Sequence, residues 1–523
     1  MLESLITHLN GLLRSDLLRL LKGLFLVFLT LAVLAILFAP AVKPGKVRYR
    51  LLRILIGGAL FAMLVYQSTW QITGYMRPEF VKFLRRYNRR PQAAEIQVMR
   101  GPLLDCRGMV LAAPITGDVW GRRYPLGEAA VHPLGYFHSR FGITAVERVC
   151  DPELSGYVAD KRMMLSGKAF FTARAEEGAA VTLNLDARLQ RLAYRLMAGR
   201  KGAVVIMEPQ SGALLALVSS PGFNPLDPGP ATLDERNMPV FNRAIQGRYP
   251  PGSVFKILIA GMALEEKRTP TYFCPAEGYL AAAHTPPIRD SEYYACMRKG
   301  TVWSGWGRMN IEEALVHSSN VYFAQLGVGC GTRAFNDIIL RSHINKSLTY
   351  LKGVSGVLKS SSGEVPQVTR PSQLALLSIG QGEVLTTPLH VACLTAAVAA
   401  GGNLMRPRLL KEDSIDRLET LFSSATASRL SGMMRQVVRA GTGKGADVAG
   451  LEVCGKTGTA QVNGGEDHAW FTCFAPQRNP RIVVTVLIER GGFGARTALP
   501  VARALLVEAD RLGYVRGTRR GAQ

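Results

Sequence analysis

Leu24 to Val42 (LFLVFLTLAVLAILFAPAV) runs for nineteen residues without a charged side chain. As a helix rising ~1.5 Å per residue it is about 28 Å long, close to the hydrocarbon thickness of a bilayer. It is too long for the apolar segment of a signal peptide and has no small-x-small cleavage site, so it reads as a membrane span. Ile54 to Met76 is a second uncharged stretch, long enough to span although more polar toward its end. Residues 2–21 place leucines and isoleucines at helical spacing around Arg14, Asp16 and Arg19. That pattern suits an amphipathic helix on the membrane surface. Residues 1–76 are therefore expected to form a membrane region with spans at about 24–42 and 54–76.

Charge alone does not orient these spans. Lys43, Lys46, Arg48, Arg50 and Arg53 in the connector favour a cytoplasmic connector and an external remainder. Arg77, Lys82, Arg85, Arg86, Arg89 and Arg90 pull the other way. The 523-residue chain carries a net charge of +24, which suits an anionic partner such as nucleic acid, acidic lipid or an acidic polymer. It shows no nucleic-acid-binding module, and its apolar stretches favour lipid or a lipid-linked substrate. The eight cysteines form no CxxC pair and no His/Cys cluster, which argues against a structural zinc site. Cys274 with Cys296, and Cys106 with Cys150, are candidate disulfide pairs for an oxidising compartment. Cys393, Cys454 and Cys473 read as small buried apolar residues.

Beyond residue 180 the pattern is that of an α+β domain. Val181 to Leu185, Gly202 to Met207, Ala213 to Val218 and Arg481 to Ile488 read as strands. Asp186 to Met197 reads as a capped amphipathic helix, and Val254 to Glu266 and Leu389 to Ala400 as helical segments. Strands near both ends with helices between predict terminal strands pairing in one antiparallel sheet.

Three short motifs carry chemistry. Tyr249-Pro-Pro-Gly-Ser253-Val-Phe-Lys256 precedes an apolar helical run, so Ser253 should open a helix and Lys256 should lie one turn on. A serine needs a base to become a nucleophile, and a buried lysine with a depressed pKa can serve. This is the one S-x-x-K match in the chain. Ser318-Ser319-Asn320 offers a hydroxyl that can relay protons and an amide that can hold a peptide group, although alone it reads more readily as a helix cap or turn. Lys456-Thr457-Gly458-Thr459 joins a cation and two hydroxyls to a glycine on an expected edge strand. Such an edge lets a substrate backbone approach and grips a carboxylate; alone it reads equally as an edge protected by lysine. All three motifs in this order mark serine β-lactamases and penicillin-binding proteins.

From about residue 96 to 510 the chain resembles the class B penicillin-binding proteins, the monofunctional peptidoglycan transpeptidases. Beyond the three motifs the resemblance rests on Arg100-Gly-Pro-Leu-Leu-Asp105-Cys-Arg-Gly108, similar to the family's R-G-x-I-x-D-R-x-G pedestal pattern. It also rests on Lys201-Gly-Ala-Val-Val-Ile-Met-Glu-Pro, Gly380-Gln-Gly with Thr387-Pro-Leu, and His468-Ala-Trp-Phe-Thr-Cys-Phe-Ala-Pro. Cys106 stands where the family usually has an arginine, and the pedestal is short. The resemblance implies the penicillin-binding/serine β-lactamase-like transpeptidase fold, an antiparallel sheet with helices. It divides the chain into a membrane region (1–76), a pedestal (77–179), a transpeptidase domain (180–515) and a tail (516–523).

The resemblance also implies a mechanism without metal or cofactor. Ser253 attacks the D-Ala-D-Ala carbonyl of a peptidoglycan stem peptide, Lys256 is the base, and Ser318 and Lys456 shuttle the proton. The backbone N–H groups of Ser253 and Thr459 form the oxyanion hole. Asn320 binds the donor peptide, and Thr457, Gly458 and Thr459 line the site, the two threonines holding its carboxylate. β-Lactams should acylate Ser253. The implied partners are lipid-linked glycan strands, the membrane and a SEDS-type glycosyltransferase, with no nucleic acid. Because the substrate is outside the cytoplasm, residues from 77 onward are expected on the outer face of the bacterial inner membrane. A β-lactamase or β-lactam sensor would share the motifs, but the chain has neither the E-x-x-L-N loop of class A nor the Y-G-N of class D. A catalytically inactive cell-wall scaffold is the remaining alternative.

Overall fold

The computed structural model describes residues 99–115, 118–156, 178–283, 285–462 and 464–516, with short helical pieces between 55 and 66. By internal contacts the chain falls into two units, Met1–Glu95 and Ile96–Gln523. The surface helix at 2–21 and the span at 24–42 lie outside the described residues, as does most of the span at 54–76. Among the described residues no helix is long and apolar enough to cross a membrane.

In the second unit, strands β1 (Leu103–Leu104), β2 (Val110–Ile115) and β3 (Asp118–Arg123) form a small antiparallel sheet. Helix α1 (Ala145–Val149) supplies Glu147, which is fully buried. Glu147 accepts from Arg100 Nε and Arg122 Nε, each at 2.7 Å. Burial alone would raise its carboxyl; the two guanidiniums override that and hold it below the ordinary value. The Arg100 and Asp105 of the pedestal pattern thus have structural duties. Asp105 closes its turn through the N–H groups of Arg107 and Met109 at 2.8 Å and reaches Ala187 N at 3.1 Å. Cys106 Sγ lies 3.5 Å from Tyr514 Oη, at the far end of the chain.

Strand β4 (Val181–Thr182) joins β1 in parallel. The predicted strand ran to Leu185, but the chain leaves the sheet earlier: Asn184 N bonds Leu409 O at 2.7 Å and its Nδ2 bonds Leu410 O at 2.9 Å. Helix α2 (Ala187–Leu196) follows, capped by Asp186 through Arg188 N at 2.9 Å, as its sequence predicts.

The main sheet begins with β5 (Gly202–Met207) and β6 (Leu214–Ser220), both buried throughout. The segment after it supplies α3 (Lys256–Glu265), β7 (Tyr272–Cys274), α4 (Ser291–Lys299), β8 (Gly307–Met309), α5 (Ile311–His317) and α6 (Asn320–Arg341, interrupted at Gly331). Next come α7 (Pro388–Ala399) and α8 (Ser424–Ala440). Strands β9 (Cys454–Ala460), β10 (His468–Ala475) and β11 (Ile482–Ile488) and helix α9 (Gly494–Arg511) complete the domain. The sheet runs β9-β10-β11-β5-β6 and is antiparallel throughout, so the terminal strands pair as expected. Val204 and Ile206 face α2 and α9, while Ala203, Val205 and Met207 face the larger core that includes α7. Burial on both faces explains why these strands read as continuous apolar runs. The arrangement leaves β9, with the K-T-G motif, on an open edge.

All eight cysteines are free, so neither candidate disulfide forms. Cys274 points inward from β7, with Ser319 Oγ 3.9 Å from its Sγ, whereas Cys296 is a half-buried residue of α4. Cys106 turns to Tyr514, and Cys150 is buried in the larger core.

Candidate active site

The loop before Ser253 is fixed from several sides. Tyr249 and Thr386 exchange both backbone hydrogen bonds at 2.9 Å, Gly252 N donates to Gly380 O at 2.9 Å, and Trp470 Nε1 donates to Pro250 O at 3.0 Å. Gly252 has φ +55°, and a Cβ there would lie 2.5 Å from Thr459 O, so only glycine lets the loop rest on β9. Ser253 then sits in a 3₁₀ turn, Gly252–Phe255, that runs into α3. Such a turn has three residues per turn and eclipses i with i+3, which brings Lys256 over Ser253 more directly than an α-turn would.

Lys256 is completely buried and donates to Ser318 O at 2.6 Å and to Asn320 Oδ1 at 2.7 Å, with Ser318 Oγ at 3.4 Å. Burial lowers its pKa to about 7, against the opposing charges of Asp290 and Glu292. Lys456, equally buried, donates to the same Ser318 Oγ at 2.8 Å and to Thr457 O at 3.1 Å. Its pKa is pushed well below the ordinary lysine value by burial and then by the charge of Lys256. One hydroxyl therefore joins two amines, each held toward its neutral form. Ser318 reaches this position as the αL cap of α5, with φ 60° and ψ 37°. That conformation costs a non-glycine residue about 1–2 kcal/mol and is common at functional sites.

Gly458 faces the nucleophile loop. A Cβ there would meet Val254 Cγ1 at 2.9 Å and Pro251 O at 3.2 Å, which explains the glycine between two threonines. Thr457 Oγ1 is paired with Thr442 Oγ1 at 2.7 Å, and Thr459 Oγ1 accepts from Gly494 N at 3.5 Å. Beside this edge a polar groove of about 690 Å³ is lined by Pro250, Gln381, Gly382, Gln461, Val462 and Asp467.

With this geometry in place, comparison with known proteins decides the family. The family described as penicillin binding protein transpeptidase domain matches residues 202–507. The chain belongs to this family. A peptidoglycan D,D-transpeptidase PbpA of Mycobacterium tuberculosis is 31% identical over 472 residues, covering 81% of this chain and 91% of the relative. The D,D-transpeptidase MrdA of Haemophilus influenzae is 29% identical over 457 residues, covering 74% and 68%. The imipenem acyl-enzyme of penicillin-binding protein A from M. tuberculosis superposes with a TM-score of 0.69 at 28% identity, covering 80% of this chain and 99% of that one. Penicillin-binding protein 2 of Pseudomonas aeruginosa, solved in complex with WCK 5153, gives 0.67 at 29% identity, covering 82% and 98%. The class B resemblance read from the sequence holds.

In this penicillin-binding protein, residues 62 to 200 positions apart in sequence meet around two amines. Lys256, Ser318, Asn320 and Lys456 converge, Ser253 lies in the turn that leads into Lys256, and Thr457, Gly458 and Thr459 belong to the adjoining edge strand. Three contributors were not singled out from the sequence. Thr442 supports Thr457, Trp470 pins the loop, and Asp290 binds the second motif from a polar insertion. Only Trp470 had a sequence signal, inside His468-Ala-Trp-Phe; the others depend on long-range packing that no local spacing announces.

Proposed function

We propose that this chain is a peptidoglycan D,D-transpeptidase whose acyl-enzyme forms on Ser253. The observation that carries the residue assignment is the sharing of Ser318 Oγ by two buried lysines beside the 3₁₀ turn of Ser253. Neutral Lys256 takes the Ser253 proton as Oγ attacks the penultimate D-alanine carbonyl of a stem peptide. The tetrahedral oxyanion lies against the backbone N–H groups of Ser253 and Thr459. Its collapse breaks the peptide bond, and the proton passed through Ser318 and Lys456 leaves on the amine of D-alanine. A neighbouring stem-peptide amine then attacks the ester, forming the cross-link and returning Ser253 to its hydroxyl form.

The amide of Asn320 supports its part in donor binding. Its Oδ1 is held by Lys256, and one Nδ2 hydrogen goes to Arg289 O at 2.9 Å, which leaves one hydrogen for a substrate carbonyl. Thr457 and Thr459 hold the terminal carboxylate. The reading places residues 77–179 as the pedestal and 180–515 as the catalytic domain, outside the inner membrane and anchored by residues 1–76. β-Lactams acylate the same serine, and a SEDS-type glycosyltransferase supplies glycan strands. Purified protein given a D-Ala-D-Ala donor and an acceptor amine should release one D-alanine per cross-link, and Lys256→Ala should abolish both. A protein that binds the donor but releases no D-alanine would contradict the proposal.

A further inference from the structure

Asp290 is 2% exposed yet belongs to the polar insertion between β7 and β8. Its Oδ1 accepts from Asn320 N at 2.5 Å and Val321 N at 3.1 Å, and its Oδ2 accepts from Ser319 Oγ at 3.1 Å. It precedes α4 but makes no side-chain cap there. Its carboxylate instead satisfies two N–H groups at the start of α6, a helix that Ser319 also caps through Tyr322 N at 3.1 Å. Arg289 O holds the Asn320 side chain at 2.9 Å. Two consecutive residues from a distant insertion thus grip all of Ser319-Asn320-Val321. Ser318, immediately before that grip, has an αL backbone that must be held against its own strain.

We propose that Asp290 is the positioning residue of the second motif, its carboxylate fixing Ser318 and Asn320 in register with Lys256 and Lys456. Without it, two helix N–H groups and one hydroxyl lose a buried acceptor, and the Ser318 turn is free to relax away from the amines. Asp290 also faces Lys256, whose protonated form it favours. The other ionisable groups described in this surround are Lys456 of β9, which shares the Ser318 hydroxyl with Lys256, Glu292 of α4 and the Cys274 thiol of β7, the last pushed up by burial to about 11.

The inference rests on Ser253 being the acylated residue. Labelling of the parent by fluorescent penicillin reads on that assignment, and the variant-to-parent ratio reads on Asp290. Asp290→Asn in the full-length protein should slow acylation at least tenfold, in the acylation step and not in initial β-lactam binding. The rising limb of its pH profile should move to lower pH, because a charge favouring protonated Lys256 is gone. A purely structural role would instead lower the folded fraction and leave the limb in place. Parental acylation rates, or an unmoved limb in folded protein, overturn the proposal. If Asp290→Asn does not fold, Ser319→Ala decides: acylation three- to tenfold slower supports it, and the parental rate overturns it.

Discussion

Replacing Gly458 by alanine tests how closely the nucleophile loop must lie on the K-T-G strand. The added methyl would sit 2.9 Å from Val254 Cγ1, 3.0 Å from Trp470 Cβ and 3.2 Å from Pro251 O. Carbon contacts are favourable at about 3.5–4.0 Å, so loop and strand must separate by roughly 0.5–1 Å. Neither side yields easily, because Trp470 Nε1 is tied to Pro250 O at 3.0 Å and Gly252 to Gly380 at 2.9 Å. Overpacking of this kind costs about 1–3 kcal/mol. If that falls on the alignment of Ser253 with the oxyanion donors, the rate drops about 5- to 150-fold. Displacements near 1 Å have effects of that size in catalytic geometry. The assay is a time course of fluorescent-penicillin labelling over a concentration series, beside thermal unfolding of the same preparations. Gly458→Ala should acylate at least fivefold more slowly while unfolding as a single cooperative transition. Acylation within twofold of the parent, with unchanged stability, would refute the close-approach account.

Other outcomes follow from the same structure. Acylation should rise with pH through about 7 and then level off, because Lys256 is a base only when unprotonated and burial lowers its pKa to about 7; a rate still climbing steeply at pH 9 would contradict this. Glu147→Ala should destabilise the protein by about 3–5 kcal/mol, because it leaves buried Arg100 and Arg122 without their shared counter-charge; denaturant unfolding measures it. Gly432→Ala, on α8 with open space around the added methyl, should stabilise by about 0.5–1 kcal/mol and leave acylation unchanged.

What was legible in the sequence was local or periodic. The apolar runs of β5 and β11 and the capped helix α2 announced themselves because burial and capping act through neighbouring residues. The motifs around Ser253, Ser318 and Lys456 were legible because each packs its chemistry into a few positions. The turn of Ser253 was expected to open an α-helix, and its 3₁₀ form was not foreseen. Asn184 ends the predicted strand by bonding to residues more than two hundred positions away, and no local pattern carries that. The same is true of Asp290, an ordinary acid in a polar insertion until the fold buries it against α6. The cysteine pairs failed as disulfides for a related reason, since spacing says nothing about where each side chain points.

The central claim is that Ser253 is the acylated nucleophile of a transpeptidase. Mass spectrometry of the penicillin-treated protein, after digestion, tests it most directly. The account predicts one β-lactam adduct on the peptide containing Ser253, stable over minutes and absent from Ser253→Ala. An adduct on another residue, persistent labelling of Ser253→Ala, or rapid turnover of penicillin to free product would contradict it.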